Sequence, residues 1–337
     1  MIKFFIAFLF FIFLQPYLVA QEDVNSTKSG PSWNLERFSF YFENDIYTKT
    51  DGGYTAGERF SFLYLINDEY SIYDTVFSNM QKTDKYFTLA LSNQIFTPTD
   101  TEETDLIVDD RPYAGWTYLE FGIHKSSKNN LRSLNLKVGA IGKISMSQEI
   151  QNGFHEIIGN SDVKGWGNQL NNELGVNLKY THKLLYDLDT KGNFESSIIP
   201  FVSAELGNVA INTTVGANAR FGWNIPRDFG VSSIDIGADP GIPIYGEYEN
   251  NKKTLWSFSI NLNIAGSVVA RDIFLDGNTF SDSHSVEKEN FVYYTGIGFT
   301  YRYKNFVFDF IEIYNSKKFK LEDGGHGVGT LVCSWVF

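Results

Sequence analysis

The sequence predicts an all-β fold: a transmembrane antiparallel β-barrel of about twelve strands with a short helix in an extracellular loop. Three observations predict it. Apolar and polar residues alternate with period two in run after run, to the end of the chain. No segment beyond the first twenty residues approaches the roughly 18 consecutive apolar residues of a membrane helix. The chain ends in "LVCSWVF", with Leu331, Cys333, Trp335 and Phe337 on one face.

The elements follow in order. Residues 1–20 carry one positive charge at Lys3, an apolar run from Phe4 to Leu14, and Ala20 before polar chain. This pattern predicts a secretory signal peptide, its apolar run too short to span a bilayer. Residues 21–337 then form a single barrel domain. No cysteine sits at the cut, so no lipoprotein is expected, and the single Cys333 has no internal disulfide partner. Removing residues 1–20 leaves 317 residues and, with Lys3 gone, moves the formal charge from −12 to −13. So acidic a surface excludes nucleic acid as a partner, because phosphates demand basic side chains. Calcium or a cation-bridged anionic lipid surface suits it better.

In "ERFSFYFEN" Phe38, Phe40 and Phe42 fall on one face and Arg37, Ser39, Tyr41 and Glu43 on the other. A second strand is expected over 55–66. In "KYFTLALSNQIF" Phe87, Leu89, Leu91 and Ile95 oppose Thr88, Ala90, Ser92 and Gln94; "GWTYLEFGI" sets Thr117, Leu119, Phe121 and Ile123 against Trp116, Tyr118, Glu120 and Gly122. Further strands are expected near 131–144, 174–185, 197–207, 211–223, 255–271, 291–303, 305–314 and 328–337.

A soluble sandwich would also alternate. Here the apolar face is rich in Phe, Tyr and Leu while the opposite face keeps Arg, Glu, Asn, Gln and Lys, the division expected between lipid and a polar lumen. Tyr and Trp crowd strand ends, where an aromatic girdle would sit. The final strand ending in Phe337 resembles the signal read by the barrel-assembly machinery, and closure would remove the sheet edge. With the N-terminus periplasmic, the connections near 44–54, 97–111, 145–173, 207–210, 272–290 and 315–326 are extracellular. "KSSKNN" and "DLDTKGN" read as plain turns, whereas 67–83 and 224–253 are long for periplasmic connections.

Chemistry concentrates in two connections. The first, "ENDIYTKTDGGYTAGERF", gathers Glu43, Asn44, Asp45, Thr50, Asp51, Thr55 and Glu58. The second, 145–173, opens with Ser145 and Gln148 at capping-box spacing and meets a stop at Gly159. A helical wheel puts Ile150, Phe154, Ile157 and Ile158 on one face, leaving Gln148, Gln151, Asn152 and His155 on the polar side. Ester hydrolysis needs a base for water and a charge or donor where the carbonyl oxygen becomes negative. Histidine suits the first task, and an aspartate such as Asp45 with other oxygen donors could hold a hard cation for the second. Alone, each has a plainer reading, a solvated loop histidine and turn-stabilising carboxylates. No Cys or His cluster suits zinc, and no "GxSxG" elbow marks a serine hydrolase.

Taken together, "ENDIY", "TDGGYTAG", "DDRPYAGW" (109–116), "SQEIQNGFHEIIG" (147–159), "GWGNQLNNE" (165–173) and "RDIFLDGNTFSDSHSVEK" (271–288) resemble the outer-membrane lipid A 3′-O-deacylases, the LpxR-like family. The likeness runs in consistent order over essentially the whole mature chain. It implies an outer-membrane, twelve-stranded barrel with its site on the outer wall near the extracellular rim. It also implies calcium as cofactor and removal of the 3′ acyloxyacyl group of lipid A, the anchor of lipopolysaccharide. Carried over, His155 is the base, Asp45 helps place calcium, and Asn44 and Thr55 shape the pocket around carbonyl and water, with Glu149 and Gln151 in support. Many members carry a basic residue after the "TD" of the first loop, where this chain has Gly52 and Gly53. The acidic 97–110 connection lacks lysine, leaving Arg111 and Lys164 as candidate phosphate contacts. His284 is expected not to be catalytic, and "DGN" at 276–278 reads as turn chemistry. The alternatives are an outer-membrane phospholipase using the same site, or a non-catalytic porin or lipid-binding barrel.

Overall fold

The structure, a computed structural model, describes residues 32–45, 53–67, 72–159, 161–233, 241–247, 250 and 254–337. The expected signal peptide, and Thr50, Asp51 and Gly52 of the first loop, lie outside the described residues. Among the described residues, thirteen strands form one antiparallel sheet. They are β1 Ser32–Asn44, β2 Gly53–Asn67, β3 Asp84–Thr97, β4 Ala114–Ser126, β5 Asn130–Ile141, β6 Glu173–Leu184 and β7 Tyr186–Lys191. They continue as β8 Phe194–Gly207, β9 Ala210–Trp223, β10 Trp256–Asp272, β11 Phe291–Tyr303, β12 Phe306–Asn315 and β13 His326–Val336.

β1 pairs with β13, Phe42 opposite Leu331 and Phe38 opposite Trp335, and the sheet closes where β8 meets both β6 and β7. β6 and β7 are therefore one stave broken at Leu185, and the barrel has twelve. Leu185 turns inward into the lumen, and its N–H donates to the Asn129 carbonyl (3.0 Å) at the neighbouring hairpin. "DLDTKGN" is thus not a simple turn. Most of it extends β7, and the chain reverses at Gly192, whose φ of 64° is the left-handed region glycine tolerates.

The alternation sorts as expected. Outward positions such as Leu91, Leu119, Phe121, Val215, Ile264 and Ile297 stay exposed, suited to hydrocarbon, while Arg59, Glu120, Lys137 and Glu205 are buried inside. No helix among the described residues is long and apolar enough to cross a membrane; the strands do the crossing.

The lumen is filled. At one end part of the long 224–253 connection folds inward, packing Phe229, Ile242 and Ile244 against Leu63, Tyr86, Leu131 and Ile199. Arg220 bonds Asp228 there at 2.6 Å. In the middle, Arg59 grips Glu120 through two bonds of 3.0 Å, and Lys137 meets Glu205 at 3.3 Å. At the other end, Ile273 and Phe274 cap the mouth beside Tyr54, Phe96 and Trp116, Phe274 stacking on Phe96 with centroids 3.9 Å apart. Two lumenal cavities hold only about 60 and 110 Å³.

The other long connection, 67–83, carries the helix Ile72–Val76; its Tyr73, with Phe77 just after it, packs on the outer wall beside Phe87, Ile123 and Leu134. Connections expected at one end do meet there. Asn171 bonds Asn278, His284 bonds the Asp110 carbonyl and Lys164 pairs with Glu102. Asp74, Lys85, Lys125 and Pro243 gather at the opposite end.

Candidate active site on the outer wall

The connection 142–172 builds a helix and lays it on the barrel exterior. A 3-10 turn, Lys143–Ser145, leads through Met146, whose left-handed φ of 59° redirects the chain, into the rim helix Ser147–Ile158. The expected capping box does not form. Met146 occupies the N-cap without a side-chain bond, while Ser145 Oγ accepts the Ser147 N–H at 3.3 Å and meets Ser147 Oγ at 3.0 Å. The reason lies in the wall beneath. Thr117 donates to the Ser145 carbonyl (2.7 Å), and Asn93 Nδ2 donates to Ser147 Oγ and to Thr117 Oγ1, both at 2.7 Å. The approach is close enough that a Cβ on Gly115 would lie 2.2 Å from the Ser147 Cβ. Gly159 ends the helix as expected, φ 79°, its N–H on the His155 carbonyl.

The helix faces only in part as its wheel implies: Ile150 and Phe154 pack down as expected, while Gln151 and Ile157 do not. Ile150 packs into a buried cluster of Ala56, Ile95, Tyr113, Val163 and Trp166, and Phe154 meets Phe42 of β1 with centroids 5.5 Å apart. Gln151, expected on the polar side, is buried and accepts the indole N–H of Trp166 at 2.8 Å. Ile157, expected to be covered, is 62% exposed. The wheel assumes water as the outside solvent, whereas a helix on this wall meets lipid. The Ile158 side chain lies outside the described residues.

Phe154, the residue before His155, contacts Phe42, two residues before Asn44 at the end of β1. The helix that bears His155 thus packs on the flank of the cylinder where β1 ends. His155 Nδ1 lies 2.7 Å from the Ser161 carbonyl. A carbonyl only accepts, so Nδ1 donates, and Nε2 is the ring nitrogen outside that bond. Asp45 is buried in a short turn directly after β1. Thr55 occupies a bulge of β2 between Tyr54 and Ala56, its hydroxyl 2.6 Å from that of Thr97. The bulge lets Tyr54 turn inward, where it donates to Glu43 (2.7 Å) and its N–H meets Nε2 of the buried His326 at 3.3 Å. Glu149 is exposed on the helix.

Sequence reasoning gave no role to Asn93, Thr117, Ser147 and Trp166, although Ser147 and Trp166 lie in matched motifs. It gave none to Glu58 either. Glu58 faces Asn93 across the β2–β3 ladder, so it projects outward beneath the helix, and its Oε2 is buried without a hydrogen-bond partner. Among the described residues, no three His, Cys, Asp or Glu side chains converge as a metal group.

The two candidate phosphate contacts diverge. Lys164 stands at the rim, paired with Glu102 at 2.7 Å, a bond that raises its pKa. Arg111 is buried and lines the lumenal cavity, its guanidinium 5.3 Å from the Phe96 ring. Tyr113, in the cluster under the helix, is pushed up to about 12, first by burial and then by the charges of Asp100 and Asp110, so it stays a neutral phenol.

The 271–288 segment ties the connections at this end together. Asp272 caps the short helix Ile273–Asp276, Asp276 pairs with Lys288 at 2.8 Å, and Asn278 bridges to Asn171 and Glu173. His284 holds the Asp110 carbonyl.

A family model described as outer membrane protein LpxR matches residues 4–337. Among solved structures, LpxR from Salmonella typhimurium superposes with a TM-score of 0.73 at 17% identity, covering 89% of this chain and 100% of that one. More remote are the β domain of the Bordetella autotransporter BrkA (9% identity, coverage 91% and 98%, TM-score 0.39) and the translocator domain of NalP from Neisseria meningitidis (8%, 92% and 90%, 0.38). No curated protein matches the chain in sequence.

Proposed function

Since the chain belongs to the LpxR family of outer-membrane proteins, we propose that it is a calcium-dependent lipid A 3′-O-deacylase working on the outer wall of its barrel. The observation that carries the mechanism is the hydrogen bond from His155 Nδ1–H to the Ser161 carbonyl, which leaves Nε2 to take a proton from water. That water attacks the carbonyl carbon of the 3′ ester. The bond to the sugar oxygen then breaks, His155 returns its proton to that oxygen, and the products are a sugar hydroxyl and an acyloxyacyl carboxylic acid. Asn44 and Thr55 orient the carbonyl and the water, and Gln151 positions the helix by holding Trp166. Glu149 belongs to the same helix and plays a supporting part.

The donors around the end of β1 suit a hard cation: the Asp45 carboxylate, the Asn44 amide oxygen and the partnerless Glu58 Oε2, all oxygens. Calcium held there supplies positive charge to polarise the ester carbonyl. The exposed apolar flank beside the helix, including Ile157, accommodates acyl chains of lipopolysaccharide in the outer leaflet.

The test is mass spectrometry of lipid A after incubation with the purified barrel, with and without a calcium chelator and beside a glycerophospholipid control. The proposal expects loss of the 3′ acyloxyacyl mass only when calcium is present. Cleavage of the phospholipid alone would assign the site to a phospholipase, and no cleavage of either would support a non-catalytic barrel.

A further inference from the structure

Inside the mouth, on the other side of the wall from the helix, the structure assigns a second site: a cavity that binds a small tetrahedral oxyanion of the phosphate class on Arg111. Arg111 is only 2% exposed, yet its Nε and Nη1 have no hydrogen-bond partner. Leaving two buried donor nitrogens of a full charge unbonded is costly, and a native site normally satisfies them with a ligand or ordered water. The guanidinium borders a cavity of about 110 Å³, room for several waters at roughly 10–15 Å³ each, or for one tetrahedral anion.

The charge balance of the lining favours an anion. Arg111, Lys137, Lys179, Arg271 and Lys318 face three carboxylates, Glu205, Asp272 and Glu289. Each carboxylate is already engaged. Glu205 accepts from Lys137 (3.3 Å) and Asn177 (3.0 Å), Glu289 from Lys320 (2.8 Å), and Asp272 from the Phe274 N–H (3.0 Å). Asp272 feels the Arg111 charge but makes no hydrogen bond to its Nε or Nη1. A guanidinium fork with two free donors matches two oxygens of a phosphate, and the low-dielectric lumen strengthens that contact. Phe96, beneath the guanidinium and stacked on Phe274, fixes the orientation of the fork. A bound anion would thereby brace the cap Ile273–Asp276 against β3 and β4.

The experiment uses the whole mature barrel in nonionic detergent at low ionic strength, dialysed free of phosphate and sulfate. Calorimetric titration with inorganic phosphate is expected to show one saturable site. A parallel titration with glucosamine 1-phosphate distinguishes sources: binding of both indicates free phosphate, and binding of the sugar phosphate alone indicates a phosphorylated sugar. Arg111→Gln is expected to weaken phosphate binding at least tenfold, whereas Lys128→Gln, an exposed lysine at the opposite end, leaves it unchanged. Heat-modifiable gel mobility verifies folding. Lys318→Gln, in the same cavity, carries the comparison if Arg111→Gln does not fold. Absence of saturable binding of either compound to the wild type overturns the assignment, as does unchanged affinity in a folded cavity variant. None of these outcomes depends on the deacylase reading, because none reads lipid cleavage.

Discussion

Gln151→Leu isolates what holds the rim helix in place. Gln151 is 4% exposed and Trp166 1%, and the 2.8 Å bond between them ties the helix to the 165–168 turn. Leucine nearly preserves volume but leaves the indole N–H buried and unbonded, which costs about 1–3 kcal/mol. Charged to the docked helix, that is roughly a 5- to 150-fold shift toward undocking. Ile150, Phe154 and the bond from the Val163 N–H to Asn152 remain, so the helix still docks part of the time. The assay pairs lipid A turnover with hydrogen exchange of the 147–158 amides. Both are expected to worsen together in Gln151→Leu. Adding Trp166→Phe removes the orphaned donor and is expected to recover much of the loss, since deleting both partners is far milder than deleting one. Unchanged exchange in the single variant, or no recovery in the double, would refute the positioning role.

Three further outcomes follow from the same structure. Arg59→Leu, which strands Glu120 in the lumen, is expected to cost about 3–5 kcal/mol in urea unfolding, and Arg59→Leu with Glu120→Leu to recover most of it. Asp74 is held below its ordinary pKa, chiefly by the hydrogen bond from Lys125 and then by that from Lys85. A depressed carboxyl stabilises above its unfolded pKa and loses that contribution as pH falls through its folded value. Asp74→Asn should thus lower Tm at neutral pH, and the gap should close below about pH 4. The carboxylate is half exposed, so the effect stays under about 1 kcal/mol. Calcium chelation is expected to abolish lipid A cleavage while the heat-modifiable gel shift of the folded barrel persists, a comparison made on one sample.

The barrel was legible because a strand crossing a bilayer must present lipid on one side and a packed lumen on the other. Phe38, Phe40 and Phe42 alternate with Arg37, Ser39 and Tyr41 as that setting demands, and the polar side keeps charges a soluble core would exclude. The break at Leu185 was not legible, since it depends on the Asn129 carbonyl, distant in sequence. Nor was the inward fold of Phe229, Ile242 and Ile244, which come from a connection with no periodicity. The helix over 147–158 and its stop at Gly159 followed from local chemistry, but its orientation did not. Burial of Gln151 and exposure of Ile157 are set by Trp166 and by lipid, neither of which a helical wheel contains. Arg111 shows the same limit: a charge offered as a contact for substrate phosphates lies inside the wall, because it stands in the connection before β4, where no strand alternation tells which way a side chain points.

The claim that most depends on this geometry is proton transfer by His155. His155→Ala, expressed as a folded barrel, should reduce lipid A 3′ deacylation by about 10²–10⁴-fold, the span typical of a lost general base, with gel mobility unaltered. Wild-type turnover in a folded His155→Ala protein would contradict the account.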